Sequence, residues 1–202
     1  QIRRAYEKIS DFDSNDLHID VYTDAEACAI GEAVKRNTGR DSTLVFILVT
    51  EGIGLGIVRG RTPLGSALHS EFGMLPVRWD SKDSLRPNAD DPKIRESLRL
   101  YSKSISQLAD NEAIRTRKRI FSRDNNGQNL DAITLENLYN LRAYYLSQGC
   151  MACTVMLGPQ MIVIGADGVD DDNENYTQDV AARTLVHFRE FMEARKVDSQ
   201  PV

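Results

Sequence analysis

Cysteine and histidine are scarce in this chain, and long apolar runs are missing. Three cysteines, Cys28, Cys150 and Cys153, are too few and too uneven for a secreted disulfide framework. No stretch approaches the roughly 18 apolar residues of a membrane-spanning helix, so no membrane partner is expected. No signal-peptide pattern occurs either, and the expected location is the cytoplasm. Basic charge is not in excess: 25 Lys and Arg stand against 30 Asp and Glu, a formal charge of −5. That balance argues against a broad nucleic-acid-binding face on these residues. The chain opens on Gln1 inside a helical pattern rather than on Met, and a longer parent protein is expected.

What is present suits a globular domain. The 202 residues, 41% hydrophobic, are enough to bury one sizeable core. Residues 2–9 look helical, residues 10–17 a polar loop, and His18–Tyr22 alternates like a short strand. Thr23-Asp24-Ala25-Glu26 has the form of a capping box and opens a helix to about Arg36. Leu44–Val49 is a continuous apolar strand of the kind buried on both faces. Alternating glycines follow, Gly52, Gly54 and Gly56, then a hairpin partner over Gly56–Gly60. Residues 79–91 read as a loop or insertion, Pro92–Ala109 as a helix, and 112–131 as a polar loop with a basic cluster at Arg115, Arg117, Lys118 and Arg119. Ile133–Met156 has the spacing of a long helix, Met161–Ile164 is a short buried strand ending at Gly165, and 177–195 form a closing amphipathic helix. Strands joined to helices in this order predict an α/β domain with a mixed sheet.

Strand, glycine turn, strand is one way a chain brings bare backbone N–H groups to an anion. The same glycines equally suit a tight hairpin that needs positive φ. Cys150-Met-Ala-Cys153 has the spacing of a redox or zinc pair, but it falls inside a helical pattern and has no second pair, which suits a buried helix face. The basic cluster can contact phosphate or simply be a solvated segment.

Four segments in order resemble the second half of the ROK (repressor, open reading frame, kinase) family. Tyr22–Glu32, YTDAEACAIGE, is similar to its acidic motif, Glu-Asn-Asp-Ala-Asn-Ala-Ala-Ala-Leu-Gly-Glu. Thr50–Ile57, TEGIGLGI, is similar to its phosphate hairpin, Gly-Thr-Gly-Ile-Gly-Gly-Gly-Ile. Ser70–Met74, SEFGM, is similar to its sugar motif, Gly-Glu-Ile-Gly-His, and Ile162–Gly168, IVIGADG, to the glycine turn that faces adenosine. The resemblance implies an actin-like, sugar-kinase-type ATPase fold with a ribonuclease H-like motif, of which residues 1–202 form the larger C-terminal lobe; the N-terminal part is absent from this chain. It implies Asp24 as the base of a kinase or a sugar ligand, against its plain role in the helix cap. It implies Glu71 as an acceptor for two sugar hydroxyls, with His69 one residue outside this motif as a stand-in for its His, and Gly52, Gly54, Gly56 and Gly165 around a nucleotide.

The departures bear on function. Glu51 stands where the hairpin has Thr. A carboxylate about 4 Å from a phosphate costs around 4 kcal/mol at an effective dielectric near 20. Met74 replaces the sugar-motif His, Asp167 interrupts the adenosine turn, and the family's zinc loop has no counterpart, since no Cys lies between Cys28 and Cys150. The expected function is therefore a sugar-sensing effector domain of a ROK-type transcriptional regulator, binding a small sugar or sugar phosphate. Its DNA contact would come only through the absent N-terminal segment, and a homodimer would be its assembly. The alternative is a ROK sugar kinase that uses ATP and magnesium.

Overall fold

The computed structural model describes residues 20–64, 71–80, 83, 104–124, 132–167 and 176–198. Four strands make one sheet in the order β3-β2-β1-β4, with β1 Thr43–Val49, β2 Ile53–Arg59, β3 Thr62–Pro63 and β4 Met161–Ala166. β1 pairs antiparallel with β2, Val49 opposite Ile53, and parallel with β4, Leu44 beside Met161. The mixed sheet expected from the sequence is thus present.

β1 is apolar from Leu44 to Val49 because helices cover both its faces. Leu44 and Phe46 join Val58 under Ala29 and Ala33 of helix α1, Asp24–Lys35. Val45, Ile47 and Val49 turn the other way, into the larger core with Tyr145, Leu146, Cys150 and Cys153 of α4, Ala132–Leu157, and Val180 of α5, Tyr176–Asp198. Between them in sequence come a 3₁₀ turn at Phe72–Met74, α2 at Ile105–Ala109 and α3 at Asn111–Asp124.

α1 begins where the sequence places it. The Glu26 amide donates to Thr23 Oγ1 at 3.2 Å and the Thr23 amide to Glu26 Oε2 at 2.9 Å, a complete capping box. Thr23→Ala is expected to cost about 1 kcal/mol in urea unfolding, and Thr23→Ser to cost much less. A Thr23→Ala curve superimposed on the wild type would remove the cap from the account of α1.

Several expectations need correction. His18 and Ile19 lie outside the described residues, and Asp20–Tyr22 form no strand. β2 starts at Ile53, so Gly54 and Gly56 stand inside the strand and the turn is Thr50–Gly52. None of these three glycines has positive φ; among the described residues the left-handed glycines are Gly60 (φ 63°) and Gly158 (φ 53°). The helix expected over Pro92–Ala109 starts afresh at Ile105, because Ser104 is extended, bridges to Pro76 and caps α2 through Gln107; residues 92–103 lie outside the described residues. The basic cluster is not in a loop. Asp110 caps α3 by accepting from the Ala113 amide at 2.8 Å, and α3 buries Ala113, Ile114 and Arg117 on one side. An arginine in the buried stripe hid the helical period. β4 runs through Gly165 to Ala166, and a Cβ on Gly165 would lie 2.6 Å from the Phe46 ring.

Candidate functional site

Parallel strands β1 and β4 end side by side, and in open α/β sheets the crevice beyond such carboxyl ends is where ligands bind. The Asp167 amide donates to Val49 O at 2.9 Å, which holds the two ends together. Three further pieces converge there: the Thr50–Gly52 turn, the start of α1 and the start of α3.

The turn is built from backbone and neighbour contacts. The Thr50 amide donates to Gly52 O at 2.8 Å, the Ile53 amide to Ser106 Oγ at 2.9 Å, and the Asn111 amide to Thr50 O at 2.9 Å. Asn111 Nδ2 also reaches Asp167 O at 3.4 Å. Beneath α3, the fully buried Arg142 donates through Nη2 to Asp110 O and Asn111 Oδ1, both at 2.9 Å. Burial pushes its guanidinium down to about 10, still charged at neutral pH. A helix N-terminus, Arg142 and Arg115 thus bring positive charge to an end of the sheet that also carries the carboxyls of Asp24, Asp110 and Asp167.

Glu51 answers that charge. Its Oε2 accepts from Arg115 Nη1 at 2.6 Å, and this hydrogen bond holds the Glu51 carboxyl below its ordinary value. The position expected to repel phosphate thus carries a carboxylate already engaged by an arginine of α3. Both side chains face solvent, so the pair adds little to the stability of the fold.

Asp24 is the first residue of α1, and its Oδ1 accepts from the Ala25 amide at 2.7 Å. It lies beside β2: a Cβ on Gly54 would be 3.9 Å from that oxygen and 3.1 Å from Ala25 Cβ. Gly56 is tighter still, since a Cβ there would lie 2.1 Å from Ala25 O. These two glycines let α1 settle onto the sheet, and only Gly52 of the three faces open space.

Glu71 is exposed and leads into the 3₁₀ turn, which packs against the start of β2 from the face opposite α1. A Cβ on Gly73 would lie 2.6 Å from Ser106 Oγ and 2.9 Å from Ile53 O. Asp24 thus lies beside Gly54 on the α1 face of β2, and Glu71 lies on the other face near Leu55 and Ile57. Glu71, Met74, Leu55, Ile57, Cys153 and Met156 border a hollow of about 400 Å³ that is apolar apart from Glu71. The segment after the turn is fixed to α4: the Arg78 amide donates to Gln148 Oε1 at 2.7 Å, and Gln148 Nε2 donates back to Arg78 O at 3.0 Å. His69 lies outside the described residues.

The remaining candidates part company. Arg119 pairs with Glu112 at 2.9 Å, while Arg117 is buried against Asp83 with both side chains 0% exposed. Cys150 and Cys153 sit in the core face of α4, and burial pushes their thiols up to about 12 and about 11. Such thiols stay protonated, and Met74 offers only a thioether where the motif has an imidazole, so these residues do not fit zinc. Sequence reasoning missed Ser106, Asn111 and Arg142. Each acts from an element remote in sequence, and no local pattern marks it.

A model of the ROK family matches residues 13–200. A fructokinase of Streptococcus mutans is 25% identical over 154 residues, which cover 75% of this chain and 47% of that protein. The chain therefore spans about half the length of that curated relative. A ROK hexokinase of Thermus thermophilus superimposes with a TM-score of 0.61 at 18% identity, over 96% of this chain and 62% of that one. A ROK family transcriptional regulator, a homologue of the E. coli MLC protein, superimposes with a TM-score of 0.58 at 18% identity, over 88% of this chain and 45% of that one. Identities this low speak for the fold, which is the actin-like ATPase fold of the ROK sugar kinases.

Proposed function

The chain belongs to the ROK family, and we propose that it is the C-terminal part of a sugar-sensing effector domain in a ROK-type transcriptional regulator. The observation that carries this reading is the Glu51–Arg115 pair at the turn. A site built to hold a nucleotide phosphate leaves its cations and amides for the ligand. Here the turn supplies its own carboxylate, that carboxylate takes Arg115, and α1 backbone fills the side of β2 at Gly56. The residues present thus fit a nucleotide phosphate poorly, while two acids that suit a sugar flank β2, Asp24 on the α1 face and Glu71 on the other.

In this reading Glu71 accepts hydrogen bonds from two sugar hydroxyls and Asp24 from a third. An ionised carboxylate is an acceptor only, and hydroxyls match it. The sugar lies between these residues and the part of the relatives' length that this chain does not span. Its binding shifts the population of closed forms, and in a homodimer that changes the separation of two DNA-reading segments.

A sugar kinase is the second reading, favoured by Asp24. Its carboxylate is at a helix start beside the turn, where a base that takes a hydroxyl proton belongs. A panel of hexoses and amino sugars, with and without magnesium ATP, separates the two. The sensor raises the melting temperature with one sugar, independently of ATP, and releases no ADP. Glu71→Ala loses at least tenfold in sugar affinity by calorimetry on the intact protein. ADP release with any sugar overturns the sensor, and unchanged affinity in Glu71→Ala overturns Glu71 as the anchor.

A further inference from the structure

At the opposite end of the sheet from the acids lies a cleft of about 710 Å³ whose lining includes Arg40, Arg59 and Arg61 but no acidic residue. We infer that it is a second binding site, for a small phosphate-bearing molecule. The charge is unusual for its surroundings. The chain as a whole carries −5, and Lys35 and Arg36 beside this loop are taken up by Glu32 at 3.5 and 2.7 Å, so the charge of the cleft rests on its three arginines. Asp41 meets Arg59 at 3.6 Å with its own side chain 96% exposed. A contact that loose and wet leaves the Arg59 guanidinium available.

The cleft is preorganised. One wall is the loop after α1, where Asn37 is left-handed (φ 50°); the other is the β2–β3 turn, where Gly60 is left-handed (φ 63°). Thr38 Oγ1 donates to Gly60 O at 2.7 Å and the Gly60 amide to Ser42 O at 2.8 Å, which ties the walls together. Arg61 Nη2 donates to Asn37 Oδ1 at 2.6 Å, which aims one guanidinium across the opening and leaves its other donors. The last carbonyls of α1 already accept from Arg36, Asn37 and Thr38 amides, so the arginines are not needed to cap that helix. Guanidinium forks match phosphate oxygens in geometry and charge, and the volume is that of a small-molecule site. A long polyanion would need a basic stripe longer than this cleft.

The test is calorimetric titration of the intact protein with inorganic pyrophosphate, inorganic phosphate and glucose 6-phosphate, at low and at physiological salt. Wild type binds pyrophosphate at micromolar to millimolar concentration, more weakly at higher salt. Arg40→Gln/Arg61→Gln loses at least tenfold in affinity, while Arg119→Gln, on α3 and away from the cleft, keeps it. The unliganded melting temperature of each variant establishes that it is folded. If the double variant melts well below wild type, Arg59→Gln alone is read instead, with the same expectation. Tighter binding of glucose 6-phosphate than of pyrophosphate assigns the phosphate to a sugar ester; the reverse assigns it to a diphosphate. No pyrophosphate binding, equal binding by the variants, or retention by heparin without any response to the three small anions overturns the assignment.

Discussion

Gly56→Ala unfolds or severely destabilises the protein, while Gly31→Ala, the same chemical change in the helix that Gly56 touches, stabilises it. The Cβ added at position 56 would lie 2.1 Å from Ala25 O, 2.6 Å from Ala25 C and 2.9 Å from Ala29 Cβ. Two of those three are backbone atoms of α1, so no rotamer change relieves the clash. α1 must back away as a body, and it then uncovers Leu44, Phe46 and Val58, which it buries with Ala29 and Ala33. Overpacking a core usually costs about 1–3 kcal/mol. Moving a whole helix off its sheet puts this variant at or above about 3 kcal/mol, out of the 5–15 kcal/mol of a typical domain. For a chain of this size each kcal/mol is worth about 2–4 °C, so a fall of roughly 6–12 °C or more is expected. A Cβ at Gly31 meets nothing within 4 Å, and in a helix interior alanine is favoured over glycine by about 0.5–1 kcal/mol. Thermal unfolding of the two variants beside wild type reads both signs. A Gly56→Ala protein as stable as wild type would mean that α1 does not rest on β2 as described.

This glycine also marks how far the sequence could be read. The apolar strand read at Leu44–Val49, the cap at Thr23 and the long helix read at Ile133–Met156 follow from local periods and cap chemistry, and the structure has all three to within a residue at each end. What Gly54 and Gly56 are for was not local. Alternating glycines in a strand put every missing side chain on one face, and here that face receives a helix whose own contact residues are Ala25, Ala29 and Ala33. The matching run of small residues in α1 was the signal that pairs the two. Arg115–Arg119 misled for a similar reason. A helix normally shows itself by apolar residues three and four apart, and α3 spends one of those positions on Arg117. At the candidate site, Asp24, Glu51 and Glu71 could be singled out because each stands in a short motif. Arg115, Arg142, Asn111 and Ser106 reach the same end of the sheet from far along the chain, and only the fold brings them there.

Arg117→Met costs more than any surface substitution, and adding Asp83→Leu recovers most of the loss. Arg117 Nε and Nη2 grip Asp83 Oδ1 and Oδ2 at 2.9 and 2.6 Å, and Nη1 donates to Leu108 O at 2.9 Å. Tyr145 Oη donates to Asp83 Oδ2 at 2.7 Å and accepts from the Asp80 amide at 3.1 Å. The Arg117 guanidinium also lies 5.9 Å from the Tyr145 ring centroid. One cluster thus locks α3, α4 and the segment that follows Glu71. Removing one partner of a buried pair leaves the other charge stranded, which costs about 3–5 kcal/mol, whereas replacing both by apolar groups of similar volume is near neutral. The single variants Arg117→Met and Asp83→Leu are therefore each expected to melt roughly 6–20 °C below wild type, and the double variant to melt well above either. In Arg117→Met the deficit narrows toward acid pH, because a proton can neutralise the stranded carboxylate. The cycle also separates scaffold from site. Since Glu71 is carried by the segment this cluster anchors, the single variants lose sugar affinity along with stability, and the double variant regains stability without the bidentate hold on residue 83. Affinity that returns with stability makes the cluster a scaffold only; affinity that stays low in a stable double variant makes the charged grip on Asp83 the element that sets where Glu71 stands.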